Sequence, residues 1–136
     1  MIDSAHILQS SFQTLLQNDP EHNFVREFFV TLRGQDPRLR ELFETVNWNQ
    51  QHNKFLLAMM LIVENIEDPN HYTNTLESMG EDHLQRYGVT RDMMPAFRAA
   101  LINTLQINLK DEWTPEVEKA WTDGVNAIFK LMFPPQ

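Results

Sequence analysis

The sequence predicts an all-α protein of six to seven helices, and three observations carry that prediction. Asp19-Pro20, Asp36-Pro37, Asp68-Pro69 and Thr114-Pro115 each place a capping side chain before a proline whose fixed φ suits a first helical turn. Between these starts the apolar residues recur at helical spacing. Only four glycines occur in 136 residues, which leaves little room for the turns of a β fold.

The first helix is expected from about residue 3 to residue 17, with Ile7, Leu8, Phe12, Leu15 and Leu16 on one face. The second opens at Asp19-Pro20 and carries Phe24, Phe28, Val30, Thr31 and Leu32, and Gly34 is expected to end it. Pro37 opens a short helix, PRLRELF, closing at Phe43, and a polar loop containing Trp48 follows. From Asn49 to Glu67 the pattern is helical, but Phe55 to Val63 is apolar all round. A helix without a polar face is expected to be covered on every side. After Asp68-Pro69, Tyr72, Leu76 and Met79 lead along one face to His83, and Gly88 closes a corner. The next helix spans Arg91 to Leu109, with Met94, Phe97, Leu101, Thr104, Leu105 and Leu109 inward. The last runs from Thr114-Pro115 to Met132 with Val117, Trp121, Gly124, Val125, Ile128 and Met132 as its stripe. Gly124 inside it predicts a close helix crossing, because glycine costs about 1 kcal/mol relative to alanine in a helix.

A formal charge of −8 without a Lys/Arg block argues against nucleic acid and against an anionic membrane surface as partners. The chain has no cysteine, so a disulfide framework, thiolate metal sites, iron–sulfur clusters and c-type haem attachment are excluded. The longest apolar run, Phe55 to Val63, falls far short of the roughly 20 residues that span a bilayer. The opening MIDSAHILQSSF lacks the basic and apolar regions of a signal peptide. A cytoplasmic protein is expected. His6, His22, His52, His71 and His83 form no H-x-x-x-H or Glu-x-x-His pairing on one face.

Chemistry concentrates in LESMGEDHLQRYGV, Leu76 to Val89, around His83. Alone, a histidine near a helix end also serves as a C-terminal capping cation. The wider pattern adds to it. FFVTLRGQDPRLRELF, NIE, the His83 stretch, ALINTL and WTPEVEKAW, in this order and spacing, resemble a bacterial single-domain globin, similar to the globin module of flavohaemoglobins. The resemblance covers about Phe12 to Met132, and the whole chain, 1–136, is expected to form one globin domain.

The resemblance implies a globin fold around a haem b (iron protoporphyrin IX) pocket, with the iron held by a proximal histidine. Carried over, His83 is that ligand and Phe43 stacks on the porphyrin. Gln51 is the distal polar residue, with Phe55 beside it one turn later, and Phe29 on the second helix faces the bound gas. Val89 and Phe97 are apolar haem contacts, and Lys54 and Arg86 are candidate cations for the propionates. Were the register different by one residue, His52 would face the iron as a second axial ligand. The implied ligands are O2, CO and NO. The implied function is reversible gas binding, with NO dioxygenation through a separate reductase, or redox and gas sensing by a bis-histidyl haem, as alternatives. The oligomeric state is left open.

Several positions depart from the family pattern. Phe29 stands where tyrosine is common, and Phe55 where leucine is common. The corner between His83 and Val89 is one residue longer than in many relatives. The tyrosine and glutamate that flavohaemoglobins place around the proximal histidine have no evident counterparts, with Met94 and Val125 near those positions. Glu81 and Asp82 are expected to point outward. No reductase module is expected, so enzymatic turnover would draw on an external electron donor.

Overall fold

The computed structural model describes residues 4–42, 48–66, 71, 73–87 and 89–133, without the side chains of residues 42, 48 and 84–87. Seven α-helices follow one another: α1 (Ser4–Asn18), α2 (Asn23–Gln35), α3 (Pro37–Leu42), α4 (Trp48–Asn65), α5 (Thr73–Tyr87), α6 (Met94–Leu109) and α7 (Pro115–Met132). Single 3-10 turns, Arg91–Met93 and Lys110–Glu112, precede and follow α6. No strand occurs among the described residues. No helix among them is long and apolar enough to cross a membrane.

Two of the X-Pro starts work as the sequence suggests. The Asp36 carboxylate accepts from the Arg38 N–H at 2.9 Å at the head of α3. The Thr114 hydroxyl accepts from the Val117 N–H at 3.2 Å at the head of α7, with Pro115 in the first turn. Asp19 departs from the expected pattern. Residues 19–22 form a turn, with His22 in the left-handed region at φ 58°, and α2 starts only at Asn23. The Asp19 carboxylate still reaches the helix, accepting from the Phe24 N–H at 2.8 Å. It therefore caps α2 across the turn rather than from the position next to the proline. The expected stop at Gly34 is also displaced, because α2 passes through it to Gln35. The stop comes from Pro37, which forces the preceding residue out of the helical region; Asp36 is extended at φ −148°, ψ 123°. Asp68-Pro69 lies outside the described residues.

α7 is the hub of the packing, meeting α1, α4, α5 and α6, while α2 lies against α3, α4 and α6. The predicted close crossing occurs at Gly124, where an added Cβ would come 3.0 Å from an Ile62 methyl and 3.5 Å from Leu8. α1 is pinned to α7 by a buried polar contact, with the Trp121 indole donating to the Ser11 hydroxyl at 2.9 Å. Ser11 in turn donates to the Ile7 carbonyl at 2.7 Å.

The expectation for α4 is corrected. Phe55, Met59, Ile62 and Val63 are buried, but Leu57 is 54% exposed and Met60 46%. Asn53, Leu57, Met60 and Glu64 form a solvent-facing stripe at helical spacing, apolar in its middle. Val30 on α2, also read with the apolar set, is exposed as well.

Candidate haem pocket

Among the described residues α4 and α5 do not pack extensively against each other. Between them lies a cavity of about 310 Å³, closed off by residues of α2, α3, α6 and α7. Pockets for small organic ligands and cofactors start at about this size. Most of the lining is apolar, and its polar side chains are Gln51 and Lys54 from α4 and Asp82 and His83 from α5.

The α5 wall repeats at i, i+3 and i+7: Leu76, Met79 and His83 all line the cavity, so the stripe read from the sequence is the stripe facing it. His83 Nδ1 lies 2.7 Å from the Met79 carbonyl oxygen. A carbonyl can only accept, so Nδ1 carries the proton, and in the neutral ring the lone pair sits on Nε2. That is the protonation state an imidazole needs to bind a metal. The His83 carbonyl accepts from the Val89 N–H at 3.0 Å, a span of six residues. This loop is wider than the five-residue wrap of a common helix C-terminus. The corner after His83 is therefore closed by its own backbone bond.

The opposite wall is aromatic. Phe29 and Phe55 both line the cavity, their ring centroids 5.7 Å apart and edge to face. Phe28 lies behind them, stacked on Phe55 at 4.3 Å and edge-on to Phe29 and Phe97, each at 5.0 Å. Gln51, one turn before Phe55, supplies this wall with an amide.

The cavity thus brings together Phe29, Gln51, Lys54, Phe55, His83, Val89 and Phe97 from the sequence-derived set. His52 is not among its lining residues; its ring stacks on His22 at 5.7 Å between centroids. Phe43 lies outside the described residues, as does the side chain of Arg86. Asp82 differs from the expectation that it points away: it is exposed, yet it borders the cavity beside His83.

An imidazole oriented by a backbone bond, in an apolar cavity of cofactor size, fits an iron porphyrin by the chemistry of the donor alone. Comparison with known families decides the wider question, since the model of the Globin family matches residues 9–132. The chain belongs to the globin family. Globins bind haem and, through it, diatomic gases.

This globin is 24% identical to the anaerobic nitrite reductase HBI of Casuarina glauca, over 136 residues covering 90% of this chain and 88% of that protein. It is 23% identical to cytoglobin-2 of Oryzias latipes over 95 residues, 70% of this chain and 52% of that protein. Both are distant.

Sequence reasoning missed part of the pocket of this globin. Met93 at the head of α6 and Phe129 on α7 line it. Gly80 on α5, buried against the end of α7, went unremarked. The signal for Gly80 was available, because a glycine inside a helix needs a reason, as Gly124 does.

Proposed function

We propose that this globin binds haem b through His83 and holds O2, CO or NO reversibly at the iron. The observation that carries the reading is the His83 Nδ1 bond to the Met79 carbonyl inside an apolar cavity whose far wall offers the Gln51 amide. When bound, the haem would supply an iron that His83 would hold and that would take up the gas. The chain supplies the rest. The Met79 carbonyl orients the imidazole and fixes its tautomer. Phe29 and Phe55 exclude water from the side facing Gln51. The Gln51 amide offers a hydrogen-bond donor there. Lys54 stands at the cavity as a propionate partner, with Arg86 as a second candidate.

The proposal includes one globin unit over residues 1–136, kinship with bacterial single-domain globins and the flavohaemoglobin module, and a cytoplasmic setting. The order of the quoted motifs and the lack of cysteine support it. It assigns no nucleic-acid or membrane partner, in keeping with the charge of −8. An enzymatic reading, NO dioxygenation with electrons from a separate reductase, uses the same pocket. The bis-histidyl alternative is disfavoured by the stacking of His52 on His22.

The test is spectroscopic. Hemin-loaded protein is reduced with dithionite and exposed in turn to CO and to argon. A CO difference spectrum that appears and reverses supports the proposal. A hemin-loaded protein whose ferrous spectrum ignores CO contradicts it. Continuous NO consumption with an added reductase would select the enzymatic reading, and a single stoichiometric reaction the binding one.

A further inference from the structure

We infer that Gly80 is a positioning residue for the axial imidazole, because its missing side chain seats α5 on the terminal carbonyl of α7 and so sets how far His83 reaches into the cavity. The inference rests on the haem reading above. A Cβ built at Gly80 would lie 1.8 Å from the Met132 carbonyl oxygen, 2.5 Å from its carbon and 2.8 Å from its Cα. All three are backbone atoms, which cannot rotate away as a side chain can. Gly80 is buried, and its Cα–H faces an oxygen in the last turn of α7, where helix carbonyls have no intrahelical donor. Such an oxygen readily accepts a weak Cα–H bond.

The seat controls His83 because of what else that turn of α5 does. Met79, next to Gly80, provides the carbonyl that orients the imidazole, and His83 follows one turn on. Among the described residues α5 packs closely only against α7. A displacement at Gly80 therefore carries Met79, its carbonyl and His83 together. Relief of the clash needs a movement of roughly 1 Å, large compared with the tolerance of a metal–nitrogen bond. The Met132 side chain lines the same cavity, so one residue defines both the seat of α5 and part of the wall it faces.

Three glycine-to-alanine variants separate positioning from stability. Gly80→Ala, Gly124→Ala and Gly34→Ala are loaded with hemin and reduced. The iron–histidine stretching band is then recorded by resonance Raman, and thermal unfolding is followed in the apo-proteins. Gly34→Ala meets nothing within 4 Å and should leave the band unchanged. Gly124→Ala presses on Ile62 and Leu8 and should lower the Tm while leaving the band in place. Gly80→Ala should move the band to lower frequency. If Gly80→Ala fails to fold, Phe133→Ala substitutes for it. Phe133 is buried at the end of α7, and its loss frees the Met132 carbonyl to retreat, which should broaden or lower the band. A wild-type band in Gly80→Ala, or in Phe133→Ala where that variant is used, overturns the inference and leaves the haem reading intact. A wild-type protein that takes up no hemin removes both.

Discussion

The imidazole of His83 donates its Nδ1–H to the carbonyl oxygen of Met79, 2.7 Å away and one turn earlier on the same helix. That acceptor is neutral. A carboxylate in its place would pull the proton, enrich the ring and strengthen the push of electrons onto a bound iron. A peptide carbonyl exerts no such pull, so on the proposed reading His83 should donate less electron density to a bound iron than a carboxylate-paired imidazole would.

On the proposed reading, Phe29 should set how tightly O2 is retained. It lines the cavity together with Gln51, and it is buried. Phe29→Tyr adds one neutral hydrogen bond, worth about 1 kcal/mol. O2 dissociation, measured by stopped flow, should slow about fivefold. An unchanged rate would mean that the added hydroxyl does not reach the ligand.

Phe55 should retard ligand entry while stabilising the fold. It borders the cavity and is stacked on Phe28 at 4.3 Å. Phe55→Leu removes the ring, so CO association after flash photolysis should quicken. The same change opens space behind the pocket and should cost about 1–2 kcal/mol in urea unfolding. A faster rate without any loss of stability would contradict the packing described.

The Ser11–Trp121 bond is a stability element remote from the pocket. Ser11→Ala leaves a fully buried indole N–H without its acceptor, which should cost about 1–3 kcal/mol. CO binding should be unaltered. A variant as stable as the parent would show that the indole finds another partner.

Arg38 bridges Asp36 at 2.7 Å and Asp92 at 2.8 Å, tying the head of α3 to the 3-10 turn after the His83 corner. The Arg38 guanidinium holds the Asp36 carboxyl below the usual carboxylate range. The Thr90 hydroxyl, then Arg38, does the same for Asp92. Depressed folded-state values mean that the contribution is complete above the unfolded-state values and is lost as pH falls through the folded ones. Tm differences between the parent and Arg38→Ala should therefore be constant from pH 8 to pH 5 and shrink below about pH 4. Because these groups are exposed, the difference should be small and should fall with added salt.

The order and number of helices were legible because X-Pro starts and 3.6-residue periodicity are local signals, and α3 and α7 begin where those signals put them. His22 in the left-handed region was not, because the turn that delays α2 depends on the Asp19 carboxylate reaching past it. The face of α5 was readable from Leu76, Met79 and His83. The exposure of Leu57 and Met60 was not, since an apolar run does not say which of its sides lacks a neighbour. Gly80 needed α7 in place, because its role comes from a backbone atom 52 positions away in the chain.

The most direct measurement is a hemin titration of the apo-protein followed by absorbance, repeated for His83→Gly with and without free imidazole. The wild type should give a Soret band saturating at one hemin per chain. His83→Gly should lose the sharp ferrous spectrum of a histidine-bound haem, and imidazole should restore it. A His83→Gly protein whose ferric, ferrous and CO spectra match the wild type without imidazole would contradict the assignment of His83 as the iron ligand.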